Sequence, residues 1–196
     1  IAILPVTSLG LAHVAASVRI SSGIERLDTL LEAQGYYRGS TILVSGTAGA
    51  GKSSIAAHFA DGACRRGERA LVFLFEESPG QLVRNMGSNG IDLQQWVDRG
   101  LLRFYAARPS LYGLEMHLSQ MHRMIERFQP GVVVADPVSS LLTVGNETDV
   151  QATMTRLVDH LKAQGTTALM TSLTRGRMED ERTDIAISSI VDTWLL

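Results

Sequence analysis

With 196 residues, 45% of them apolar and 19% charged, the chain has the make-up of one globular domain, long enough to bury roughly 70% of its unfolded surface. Eighteen basic against twenty acidic residues leave a net charge of −2, which argues against a nucleic-acid coat protein. No apolar run approaches the ~20 residues that span a bilayer. The single cysteine, Cys64, cannot form an internal disulfide, so a reducing, cytoplasmic setting is expected.

The opening "IAILPVTSLGLAHVAA" is apolar but lacks a basic leader and carries Pro5 and Gly10, so it does not read as a signal peptide. The sequence starts without methionine and stops inside the apolar "VDTWLL". It therefore reads as a piece of a longer polypeptide, with residues 1–18 as a linker and 19–196 as the domain.

In chain order, "STILVSG" is a short apolar run closed by glycine and predicts a buried strand. "SSIAAHFADGACRRG" predicts a helix stopped at Gly67, and "RALVFLFEES" a second strand buried on both faces, as in a parallel sheet. "SPGQLVRNMGSNG" and "DLQQWVDRG" predict short helices, and "LLRFYAA" a strand. Leu114, Leu118, Met121, Ile125 and Phe128 recur at helical spacing. "PGVVVADP" is another buried strand, Val150, Met154, Leu157 and Leu161 mark a further amphipathic helix, and "TTALMTSLT" is the next strand. "TRGRMEDERTD" is polar and reads as a surface connection, and Trp96 and Trp194 as packing residues. Strands alternating with helices predict an α/β three-layer domain with a mainly parallel sheet.

Gly46, Gly51, Lys52 and Ser53 meet the spacing G-x(4)-G-K-[ST] between a predicted strand and a predicted helix, the context a phosphate-binding loop requires. Glycine is costly to order, and it is used where the backbone must curl and approach a ligand closely. Here the curl turns successive N–H groups into one concavity, and the following helix adds its partial positive end. Ala48, Gly49, Ala50, Gly51, Lys52, Ser53 and Ser54 are the candidate nucleotide cradle for ATP. Lys52 suits the β- and γ-phosphates, and the Ser53 hydroxyl suits Mg²⁺.

Asp136 ends the apolar "VVVADP" strand, where a Walker B acid belongs; alone it would read as a turn residue or cap. Glu76 and Glu77 close "FLFEES", and a carboxylate there can act as general base toward water or a hydroxyl. Adjacent strand residues point to opposite faces, so only one of the two easily faces the γ-phosphate. Thr171, Ser172 and Thr174 end a strand expected beside the loop and can sense that phosphate.

Together these residues resemble the RecA-like ATPases, and specifically the KaiC circadian-clock family. The likeness runs from "SVRISSGIERLD" through "GTAGAGKSS", "FLFEES" and "VVVADP" to "AISSIVDT". It implies a RecA-like P-loop NTPase fold, the C-terminal autokinase-like domain, and an interdomain linker in "IAILPVTSLGL". It further implies a homohexameric ring with ATP at subunit interfaces, KaiB-like or other signalling partners, and neither nucleic acid nor membrane. By the same resemblance Glu76 and Glu77 are the catalytic carboxylates, and Ser53 and Glu76 lie near the magnesium. Ser188 and Ser189 match the phosphoacceptor pair, and Thr183 a further family threonine; without the resemblance the two serines would read as loop or capping residues.

The second acceptor is serine where the family has threonine. Asn89 stands where the family has an aromatic residue beside the adenine, Pro137 removes an N–H after the Walker B acid, and "EAQGYY" replaces a more glycine-rich segment. The family's basic residues that reach the neighbour's phosphates would lie beyond Leu196. The expected function is a Ser/Thr autokinase and ATPase. The alternatives are an ATP-binding regulatory switch without kinase activity and a recombinase-type motor acting on DNA.

Overall fold

The computed structural model describes residues 16–32, 34–174 and 190–196. Most of the predicted linker, and Thr183, Ser188 and Ser189, lie outside the described residues. A two-stranded antiparallel ribbon, β1 (Arg19–Ile20) and β2 (Tyr36–Tyr37), brackets the short helix α1 (Glu25–Leu30). There follow β3 (Thr41–Gly46), α2 (Lys52–Arg65), β4 (Ala70–Leu74), α3 (Pro79–Ser88), α4 (Gln94–Asp98) and β5 (Leu102–Ala106). The chain continues with α5 (Leu114–Phe128), β6 (Val132–Asp136), α6 (Glu147–Ala163), β7 (Thr167–Leu173) and β8 (Thr193–Leu195). Two 3-10 helices, Pro109–Leu111 and Val138–Thr143, precede α5 and α6.

Six strands form one sheet in the order β5-β4-β6-β7-β3-β8, and each pairing is parallel. Alternate side chains of each central strand go to opposite faces, which makes two cores. Ile42, Val44, Val72, Leu74, Val132 and Val134 pack with Phe59, Ala60 and Leu82 of α2 and α3. Leu43, Leu71, Phe73 and Val133 pack with Leu118, Ile125, Met154 and Leu157 of α5 and α6. The crossover through α2 carries the chain from β3 past β7 and β6 to β4; the crossovers through α5 and α6 bring it back on the other face. Opposite directions on opposite faces are what right-handed βαβ units require. This is the three-layer, RecA-like α/β arrangement expected from the alternating pattern.

Three features differ from the sequence reading. "VDTWLL" supplies β8, a parallel edge strand beside β3, tied by Asp192 N–H to the Thr41 carbonyl at 2.8 Å. The β1–β2 ribbon is too short to carry a periodic signal. The strand predicted through "FLFEES" stops at Leu74, and Phe75–Glu77 form a bend leading into Pro79 at the start of α3. Phe75 N–H still reaches the Asp136 carbonyl at 3.0 Å, so the bend starts from a fixed point. Trp96 is a packing residue as read, its indole donating to Asp61 Oδ1 at 2.7 Å. Trp194 is 40% exposed and donates to Ser45 Oγ at 2.6 Å. Among the described residues no helix is long and apolar enough to cross a membrane.

The segment before α1 crosses α2 at two glycines. Gly23 has φ of +83°, and a Cβ there would lie 2.1 Å from the His58 carbonyl oxygen; a Cβ on Gly62 would lie 3.0 Å from Gly23 Cα. Backbone therefore meets backbone, leaving no flexible side chain to yield. Gly23→Ala adds left-handed strain to this overlap and is expected to cost about 2–4 kcal/mol, read as a lower urea midpoint at unchanged m-value.

Candidate functional site

The site forms where the carboxyl ends of β3, β4, β6 and β7 meet one edge of the sheet, the usual place for ligands in open α/β sheets. After Gly46 the chain leaves β3 and turns twice through left-handed backbone, with φ of +81° at Gly49 and +87° at Gly51. Other residues reach that region only at a cost, which explains both glycines. Thr47, Ala48, Gly49, Ala50 and Gly51 are all exposed. Gly51 is the N-cap of α2, and no side chain caps this helix. The first N–H groups of a helix have no partner within it. The loop therefore presents uncapped amides and the positive end of a 14-residue helix to an anion.

Lys52 lies under this loop, only 8% exposed. Its Nζ donates to the carbonyls of Gly46 at 2.9 Å and Thr47 at 2.7 Å. Burial pulls the ammonium below the ordinary lysine value, and the negative charges of Asp136 and Glu76 pull it back up. Lys52 thus feels two acids from different strands.

Asp136 ends β6, which is separated from β3 by β7. It is 6% exposed, and Thr171 of β7 donates its hydroxyl to Asp136 Oδ1. Thr171 was read as a candidate phosphate sensor; in the structure its hydroxyl is used to hold the buried acid. Ser172 Oγ donates to the Leu173 carbonyl at 3.3 Å, while Thr174 N–H donates to the Gly46 carbonyl at 3.2 Å. The second of these ties the residue after β7 to the start of the loop, while the first stays within β7.

Glu76 and Glu77 occupy the bend after β4, Glu76 exposed and Glu77 half-buried. Glu76 Oε1 accepts from Ser140 Oγ at 2.5 Å. Burial first, then the charges of Asp136 and Glu76, raise Glu77 above the ordinary carboxylate value. The charges of Asp136 and Glu76 thus act on both Lys52 and Glu77. Ser53 and Ser54 follow Lys52 in the first turn of α2, both partly exposed.

Asn89 lies apart from this cluster. It is the exposed C-cap of α3 and borders a cleft of about 810 Å³ with Ser21, Asp28, His58, Asp61 and Arg65. None of residues 46–54 borders that cleft. Two residues of the site escaped the sequence reading: Ser139, whose Oγ accepts from Leu173 N–H at 3.1 Å, and Ser140. Their only sequence signal is a pair of hydroxyls just after the strand-end acid, which resembles any turn.

Residues 20–194 match the family model described as the KaiC ATPase. The chain is 48% identical over 197 residues to the circadian clock protein KaiC2 of Synechocystis sp. (strain ATCC 27184 / PCC 6803 / Kazusa), covering 100% of this chain and 35% of that protein. It is 36% identical over 197 residues to KaiC3 of the same organism, covering 100% of this chain and 39% of that protein. The circadian clock oscillator protein KaiC of Thermosynechococcus vestitus (strain NIES-2133 / IAM M-273 / BP-1) is 36% identical over 195 residues, or 99% of this chain and 38% of that protein. The chain thus spans well under half the length of these relatives.

Glu77 carries its charge at a cost to the fold. Above its raised folded pKa the ionised carboxylate destabilises the native state; below the ordinary value of 4.5 both states are protonated and the cost is gone. Glu77→Gln is therefore expected to raise the urea midpoint at pH 7, with the gain fading as the pH falls below the carboxylate range. A gain that persists at pH 3 would have another origin.

Proposed function

The chain belongs to the KaiC family of ATPases, and from that premise we propose that it binds ATP between the loop at 46–54 and the acids of β4 and β6, hydrolyses it, and passes the γ-phosphate to Ser188 or Ser189. The observation that carries this reading is the uncapped, left-handed loop that opens α2 over the buried Lys52, whose ammonium donates to the carbonyls of Gly46 and Thr47. The uncapped start of α2 and the left-handed glycines suit the phosphates, and Lys52 neutralises charge on the β- and γ-groups. Ser53 is the residue proposed to hold Mg²⁺, with Glu76 near the ion but free to act as base; when bound, the ion offsets charge on the phosphates. Among the described residues there is no ready-made cluster of three metal-ligating side chains. That suits an ion bound by one or two protein groups together with substrate oxygens.

In the proposed reaction an oxygen from water or from an acceptor serine forms a bond to the γ-phosphorus. The bond to the β–γ bridging oxygen breaks, ADP leaves, and Glu76 takes the proton of the attacking hydroxyl. The reacting oxygen must approach in line, at roughly 3–3.5 Å. We assign the chain to the C-terminal domain of a homohexameric ring, with residues 1–18 as its interdomain linker, KaiB-like or other signalling proteins as partners, and the cytoplasm as its location.

The test is incubation of the full-length protein with Mg-ATP, measuring ADP release and mapping phosphosites. We expect phosphate on Ser188 or Ser189. Glu76→Gln is expected to lower turnover by about 10²–10⁴-fold, the usual contribution of a general base. Hydrolysis without label at either serine would reject the transfer step and leave the ATPase reading standing.

A further inference from the structure

Glu76 needs a holder. It lies two residues beyond the end of β4, is exposed, and has left the strand ladder that fixes its neighbours. A long side chain on such a bend samples many rotamers, whereas a general base must be held within a fraction of an ångström of its target.

We propose that Ser140 is the positioning residue for Glu76, selecting it over Glu77 as the base. The proposal rests on the reading of Glu76 as the base. Ser140 Oγ donates to Glu76 Oε1 at 2.5 Å, across 64 positions of sequence. An ionised carboxylate only accepts hydrogen bonds, so the serine must be the donor. One carboxylate oxygen is thereby fixed, and Oε2 is left to accept the proton. Glu77, by contrast, has no hydrogen-bond partner among the described residues.

The platform under Ser140 is rigid. Its 3-10 helix, Val138–Thr143, starts two residues after Asp136. Val138 and Leu141 are both 0% exposed and belong to the core beneath α5 and α6. Ser140 N–H donates to the Pro137 carbonyl at 3.3 Å, and Thr143 Oγ1 donates to the Ser140 carbonyl at 2.8 Å. The preceding Ser139 accepts from Leu173 N–H at 3.1 Å, anchoring the same turn to the end of β7. Thr174, next along, donates to the carbonyl of Gly46 at the loop's start. The two serines therefore link the acid of β4 to the strand that flanks the phosphate loop. The neighbouring hydroxyls thus bond to two different segments, the bend after β4 and the end of β7.

The test uses the full-length protein with Ser140→Ala, Ser140→Thr and Glu76→Gln, taking turnover above the Glu76→Gln level as that of this site. Ser140→Ala is expected to lower kcat by about 10- to 100-fold. Affinity for Mg-ATP, measured by calorimetry, should stay within about twofold. That unchanged affinity also shows that the site remains folded. Ser140→Thr retains the hydroxyl and should restore most of the rate. Wild-type or faster turnover in Ser140→Ala would overturn the proposal, as would kcat and affinity falling together. Phosphate found on Ser140 itself would also overturn it, because the hydroxyl would then be an acceptor. If Glu76→Gln turns over at the wild-type rate, the underlying assignment of the base fails, a result distinct from the failure of Ser140 alone.

Discussion

A lysine ammonium withdrawn from water at the start of α2 is the constraint around which the rest of the site is arranged. Lys52 is 8% exposed, and a buried cation is tolerated only when its donors and its charge are both answered. Two of its protons go to the carbonyls of Gly46 and Thr47, which must turn inward to take them. The loop beyond then returns through left-handed backbone, available at Gly49 and Gly51. Burial lowers the Lys52 pKa on balance, and the charges of Asp136, which ends β6, and Glu76, which follows β4, offset part of that. One cation thus ties the loop's curvature to the position of the acids.

The strand order makes this possible. With β7 inserted between β3 and β6, Asp136 at the end of β6 stands one strand away from the loop. The inserted strand is also the brace: Thr171 holds Asp136, Leu173 N–H holds Ser139, and Thr174 N–H holds Gly46. A polyphosphate site needs charges held in place before the ligand arrives, because dipoles and charges already oriented cost no reorganisation during reaction. The same brace reaches Glu76 only indirectly, through the turn that carries Ser139 and Ser140.

Much of this was legible in the sequence because it is local. The loop motif, the strand-end acid and the paired glutamates each fall within a few residues, and buried strands and amphipathic helices announce themselves by period. What escaped is non-local or unpatterned. Ser140 meets Glu76 across 64 positions, and Trp194 meets Ser45 across 149, with nothing at either position to name its partner. The β8 strand pairs over only three residues and is exposed on its edge, so "VDTWLL" carried no alternation to read. The bend at Phe75–Glu77 was read as strand because "FLFEES" is continuously apolar up to the acids. Its end is set by Pro79 and the capping box of Ser78 with Gln81, which open α3.

The central claim is that this loop holds a triphosphate through Lys52. The most direct measurement is calorimetric titration of Mg-ATP into the full-length protein and its Lys52→Met variant, with urea unfolding as a check on the fold. The account predicts a class of sites, one per chain, whose affinity falls by about 10- to 100-fold in the variant, as expected for loss of hydrogen bonds to a charged group. Unchanged affinity and stoichiometry in a folded Lys52→Met protein would contradict it.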